Sequence, residues 1–147
     1  MKKFVLMLVF VLLVVSIYAQ NSNSYELPTW VKMGMSEQEI KRNIPANSIR
    51  AWRETSIGSV LIPISNSPMF LYEIQIDRAK GLTMFGISSE ALNYNRIRLN
   101  LINAYGDPIL SDNGIDIFFV GENNINMIKF WHEDEFLNIY YYFDNWS

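Results

Sequence analysis

The stretch from Met69 to Asp77 constrains the fold more than any other part of the chain. Phe70, Tyr72, Ile74 and Ile76 fall on alternate positions, and Glu73, Gln75 and Asp77 occupy the positions between them. A period of two places the first set on one face of a strand and the second on the other. Such a strand is half-buried, with one wet side, and belongs in an antiparallel sheet. Other segments supply its neighbours. Ile49 to Glu54 and Ser59 to Ile64 flank the Gly-bearing turn Thr55-Ser56-Ile57-Gly58, and Arg78-Ala79-Lys80-Gly81 leads into Leu82 to Phe85. Further on, Pro108 to Leu110 and Ile115 to Val120 enclose Asp112-Asn113-Gly114, whose Asn-Gly pair is a hairpin signal. Gly121-Glu122-Asn123-Asn124 turns into Ile125 to Trp131, and His132-Glu133-Asp134-Glu135 turns into Phe136 to Phe143.

Two helices interrupt these strands. Ser36 and Glu39 are spaced for a capping box, and Met35 and Ile40 for a hydrophobic staple, so a short helix is expected over Glu37 to Asn43. Pro45 disfavours the helical conformation at Ile44 and stops it. The second helix is expected over Glu90 to Tyr105, capped by Ser88 or Ser89. Its apolar stripe is Tyr94, Ile97, Leu101 and Ala104/Tyr105. Gly106 and Pro108 end it.

The first residues carry an address. Lys2 and Lys3 precede an apolar run from Phe4 to Val15, and Ser16-Ile17-Tyr18-Ala19 ends in a small residue, the pattern of a signal peptide over residues 1–19. The uncharged stretch, Phe4 to Ala19, is shorter than the roughly 20 residues that span a bilayer core. An uncleaved anchor is the competing reading, and Ile17 is larger than the usual residue at that position. The chain has no cysteine, so it forms no disulfide and cannot be lipidated after the apolar run. The expected location is the periplasm or the exterior, with no membrane association after cleavage.

Residues 20–29 read as a polar, flexible leader, and residues 30–147 as a single α+β domain. Losing Lys2 and Lys3 leaves ten of the twelve Lys and Arg against fifteen Asp and Glu, a net charge of −5. An acidic domain lacking a basic cluster is a poor partner for nucleic acid or anionic lipid. The expected architecture is an antiparallel sheet with two helices packed on it. The order of elements is doubled, helix plus strands, with halves at about residues 30–86 and 87–147.

The words of the first helix start, Gly34-Met35-Ser36-x-x-Glu39-Ile40 followed by Pro45, resemble the Gly-Met-Ser-x-x-Glu-Val start of the β-lactamase-inhibitor-protein-like and SmpA/OmlA-like small exported domains. Tyr105-Gly106-Asp107-Pro108 is similar to the Gly-x-Pro that closes the family's helix. The resemblance implies a helix-on-sheet module that binds other proteins and does not catalyse. This chain departs from both groups: the scaffold members are lipoproteins and the inhibitor members carry disulfides. No functional residue is carried over.

Chemistry is sparse. His132 is the sole histidine, and cysteine nucleophiles and thiolate metal sites are excluded. Neighbours in His132-Glu133-Asp134-Glu135 alternate in direction along a strand, which argues for an acidic turn over a metal run. Asp112-x-Gly114-x-Asp116 is similar in part to a calcium loop, but its twelfth position is Asn123. Glu73 with Asp77, or Asp112 with Asp116, are the carboxylate pairs a small hydrolase could use. Gly-x-Ser-x-Gly and phosphate-cradling glycine loops are absent. No cofactor, metal site or enzymatic activity is expected.

The C-terminal hairpin is unusually aromatic. Tyr140 and Tyr142 point one way along a strand, and Tyr141 and Phe143 the other, so one pair is core and the other needs a cover or meets solvent. Trp131, Tyr140, Tyr141, Tyr142, Phe143 and Trp146 are therefore the candidate partner-binding residues. The expected function is an exported, non-enzymatic binding module, monomeric or weakly oligomeric, that contacts a protein through a sheet face or this hairpin. The alternative is a small-molecule or glycan binder with a pocket lined by Trp52, Trp131 and tyrosines.

Overall fold

In the computed structural model, which describes residues 25–66, 69–90, 93–122 and 124–143, the first helix, α1, runs Glu37–Asn43. Both arms of its capping box are formed. Ser36 Oγ accepts from the Glu39 amide, and Glu39 Oε2 accepts from the Ser36 amide at 2.8 Å. Ile40 is fully buried. Pro45 then starts a second short helix, α2, Ala46–Arg50, where a strand from Ile49 was expected; only Arg53–Glu54 remains as β1. The reason is that a proline which ends one helix is also prearranged to open another.

Strands β2 (Ser59–Asn66), β3 (Met69–Asp77) and β4 (Gly81–Ser89) follow as a meander. β4 is longer than the expected Leu82 to Phe85, because Ser88 and Ser89 are ladder residues and not helix caps. Helix α3 consequently starts later, spanning Tyr94–Tyr105, with Asn93 Oδ1 accepting from the Arg96 amide. Gly106 takes φ 84° after its end. The second meander comprises β5 (Leu110–Asp112), β6 (Ile115–Glu122), β7 (Ile125–Glu133) and β8 (Phe136–Tyr142). Asn113 and Gly114, at φ 50° and 78°, make the tight β5–β6 turn.

The eight strands of the described residues join one antiparallel sheet in the order β1-β2-β3-β4-β8-β7-β6-β5. Each meander follows its helices in sequence, and the two meet through their last strands. The fold is thus mixed α+β and dominated by strands, with three helices among the described residues where two were expected.

Register separates the two faces. One carries Val60, Ile62, Ile74, Phe85, Ile87, Phe118, Ile128, Phe130, Leu137, Ile139 and Tyr141, which pack with Ile40, Ile44, Ile97 and Leu101 of the helices into a single core. Tyr25, upstream of the expected domain start at Trp30, belongs to this core. Its hydroxyl accepts from Asn100 at 2.6 Å and its carbonyl from the Tyr141 hydroxyl at 3.1 Å. The expected signal peptide, residues 1–19, the first part of the expected leader, residues 20–24, and Trp146 lie outside the described residues. No helix among the described residues is long and apolar enough to cross a membrane.

Candidate functional site

The opposite face of the sheet contributes almost nothing to the helix-covered core. Three cross-strand rows run over it. The middle row is Leu61, Glu73, Gly86, Tyr140, Lys129, Ile117 and Leu110; the flanking rows carry Leu71, Ser88, Asn138 and Trp131, and Gln75, Met84, Tyr142, Met127 and Phe119. Most of these side chains are half-buried. Phe119 is 64% and Leu110 52% exposed. This is a broad apolar surface rimmed and interrupted by polar groups, the composition of docking surfaces.

Its centre is built around a glycine. A Cβ on Gly86 would stand 2.7–2.8 Å from the Tyr140 ring, so only glycine lets the ring lie across β4. Lying there, the Tyr140 hydroxyl reaches over β4 and donates to Glu73 Oε2 on β3. Ser59 on β2 donates to Glu73 Oε1 at 2.5 Å. Beside this chain, Ser88 Oγ donates to Asn138 Oδ1 at 2.6 Å. Trp131 stands edge-on to Tyr140, ring centroids 4.7 Å apart, and Lys129 Nζ lies 4.8 Å from the Trp131 centroid. Aromatic and cation–π contacts of this kind hold large side chains in fixed positions without a covering layer.

The structure divides the candidate residues between the faces. Trp131, Tyr140 and Tyr142 stand on the open face. Tyr141 and Phe143 are core, and so are not surface residues as expected; the same alternation that exposes their neighbours points them at the helices. Trp52 packs against the core with Lys41 Nζ 4.5 Å over its ring, on the face opposite Trp131, so the two do not line a common pocket. Leu61, Leu71, Met127 and Phe119 were missed as site residues. Their place on this face follows from the register of the strands, which a single strand's sequence does not show.

The carboxylate pairs do not converge. Asp77 Oδ1 accepts from the amides of Ala79 (2.7 Å) and Lys80 (2.9 Å), which fixes the β3–β4 turn and holds its carboxyl below the ordinary range. Asp116 turns inward, 2% exposed, onto Arg98 Nε at 2.5 Å and the Ser111 hydroxyl at 2.6 Å, while Asp112 is exposed on the other face. His132 is exposed and edge-on to Tyr94, with ring centroids 6.2 Å apart. Among the described residues, no three His, Asp or Glu side chains are grouped to hold a metal ion.

Burial raises the phenol ionisation of Tyr140 and Tyr141 well above the ordinary value. For Tyr140 the hydrogen bond to Glu73 adds to it. Tyr72, Tyr94 and Tyr142 shift the same way, chiefly by burial. A group that keeps its proton longer when folded contributes stability that is complete below the unfolded value, about pH 10, and is lost as pH rises past it. Tyrosinate absorbance of Tyr140 and Tyr141 is therefore expected to appear together with unfolding, above pH 10. Independent ionisation of all tyrosines near pH 10 with the fold intact would contradict these placements.

No protein-family model, curated protein or solved structure matches the chain.

Proposed function

We propose that this chain is an exported, non-enzymatic binding module that docks a protein partner on the open face of its sheet, around Trp131, Tyr140 and Tyr142. The observation that carries the reading is that face itself: eight strands wide, apolar over most of its rows, and bare of any helix among the described residues. A sheet face that needed only to stay wet would alternate apolar with charged residues throughout. Here Leu61, Leu71, Met84, Tyr142, Met127, Ile117 and Phe119 occupy the outward positions instead. Fixed aromatic side chains at the centre of such a patch are the residues that concentrate binding energy. Export rests on the pattern of Met1 to Ala19, and the module class agrees with the family resemblance of the Gly34-Met35-Ser36 helix start.

The carboxylates a hydrolase could use have other occupations. Glu73 is held by Tyr140 and Ser59, Asp77 by its turn, and Asp116 by Arg98. The test is capture from envelope extracts by the wild type beside a Trp131→Ala/Tyr142→Ala variant whose circular dichroism matches it. One stoichiometric protein held by the wild type and lost by the variant is expected. Equal capture by both would remove the open face from the reading.

A further inference from the structure

The open face is not uniform: at one end it sinks into a hollow of about 300 Å³ between β2, β3, β4, β8 and the β7–β8 turn. Its walls are Leu61, Leu71, Met69 and Phe136. Its polar lining is acidic, with Glu73 inside and Glu133 and Asp134 at the rim of the turn, and no lysine or arginine among the lining residues. Asn138 and Ser88 also line it. Asn138 is 7% exposed; its oxygen accepts from Ser88, and its amide nitrogen donates to no described residue. The Asn138 amide lies at the wall of this hollow, where a ligand's acceptor can reach it.

Resting on the reading of this face as a docking surface, we propose that the hollow receives one lysine or arginine side chain of the protein partner. The volume is at the lower end of the range of about 300–1,000 Å³ for small-molecule sites, which suits a single side chain. Apolar walls below charged ends match the aliphatic stem and cationic head of these two residues. A carboxylate has about four acceptor positions, and Glu73 uses one for Ser59 and one for Tyr140, which leaves room for a cation. The hydrogen bonds from Ser59 and Tyr140 also fix Glu73 in place before the partner arrives, so little ordering is needed on binding. The Asn138 amide is placed to donate to a backbone carbonyl of the same segment.

The test is selection of a random displayed-peptide library on the immobilised full chain. Peptides enriched in Lys or Arg flanked by apolar residues are expected. Their affinity should fall about tenfold in a Glu133→Gln/Asp134→Asn variant, whose substitutions lie at the exposed end of β7 and in the turn after it, and fall further as salt is raised. Peptides that bind without a cation, depend on Trp131 and Tyr142, and ignore the Glu133/Asp134 variant would overturn the anchor while leaving the docking face standing. Selected peptides insensitive to Trp131→Ala, Tyr142→Ala and the Glu133/Asp134 variant alike would overturn both.

Discussion

Replacing Gly81 with alanine is expected to destabilise the protein by roughly 2–5 kcal/mol, combining left-handed strain with a forced backbone shift. Gly81 opens β4 at φ 76°, and a methyl there would overlap the backbone of Gly34. The two glycines are close because the segment before α1 is stitched to β4. The Gly34 amide donates to the Leu82 carbonyl at 3.0 Å, and the Leu82 amide to the Met35 carbonyl at 2.9 Å. Backbone cannot rotate away as a side chain can, so the clash is relieved only by peeling α1 off the sheet. That would also uncover Ile40 and Leu82, both fully buried. Thermal unfolding should show the loss as a drop of about 10 °C or more. Gly58→Ala has the same positive φ but open space around the methyl, and is the control. It should cost only the conformational strain, about 1 kcal/mol. Equal losses at the two positions would mean that the Gly34–Gly81 contact carries no weight.

The second large effect belongs to Arg98. Its guanidinium is the partner of Asp116, a carboxylate buried on the core face between β6 and α3. Arg98→Met keeps much of the aliphatic stem and removes the charge. What remains is an inward carboxylate that still accepts from the Ser111 hydroxyl. Removing one member of a buried pair costs about 3–5 kcal/mol, and because Arg98 is about a third exposed the lower end is expected, about 3 kcal/mol. The double variant Arg98→Met/Asp116→Leu should recover much of this loss, since an apolar pair of similar volume has no charge to desolvate. A double-mutant cycle by chemical denaturation measures the coupling. Additive losses would show that the ion pair is incidental to stability.

Much of this fold is written locally. The capping box at Ser36 and Glu39, the Gly106 stop of the long helix, the Asn113-Gly114 turn and the alternation through β3 are each determined by residues a few positions apart. Failures occurred where a distant partner outweighs local preference. Ser88 and Ser89 look like helix caps, but Ser88 has a buried hydrogen-bond partner in Asn138, 50 residues away, and Ser89 pairs with Phe70 and Leu137. Pro45 is both a stop and a start, and a short window around Ile49 cannot separate strand from helix.

The site was legible only in outline. The alternation of Tyr140 against Tyr141 implied that one pair would be surface, but which face the helices cover depends on packing across the whole sheet. Gly86 carried no visible signal, because its role is to leave space for a ring 54 positions later. Asp116 was misleading for the opposite reason: its nearest carboxylate in sequence faces the other way, and its true partner, Arg98, comes from a helix.

The seam between β4 and β8 has a consequence for how the chain is made. Every strand of the first meander can pair as soon as it is synthesised, except that the outer edge of β4 has no neighbour until the last described strand arrives. An incomplete chain therefore holds a nine-residue strand with its hydrogen-bonding edge bare, the condition under which chains pair with one another. The sheet closes only when residues near 142 are available, which ties the burial of the first half to completion of the second. Non-local closure of this kind is slow.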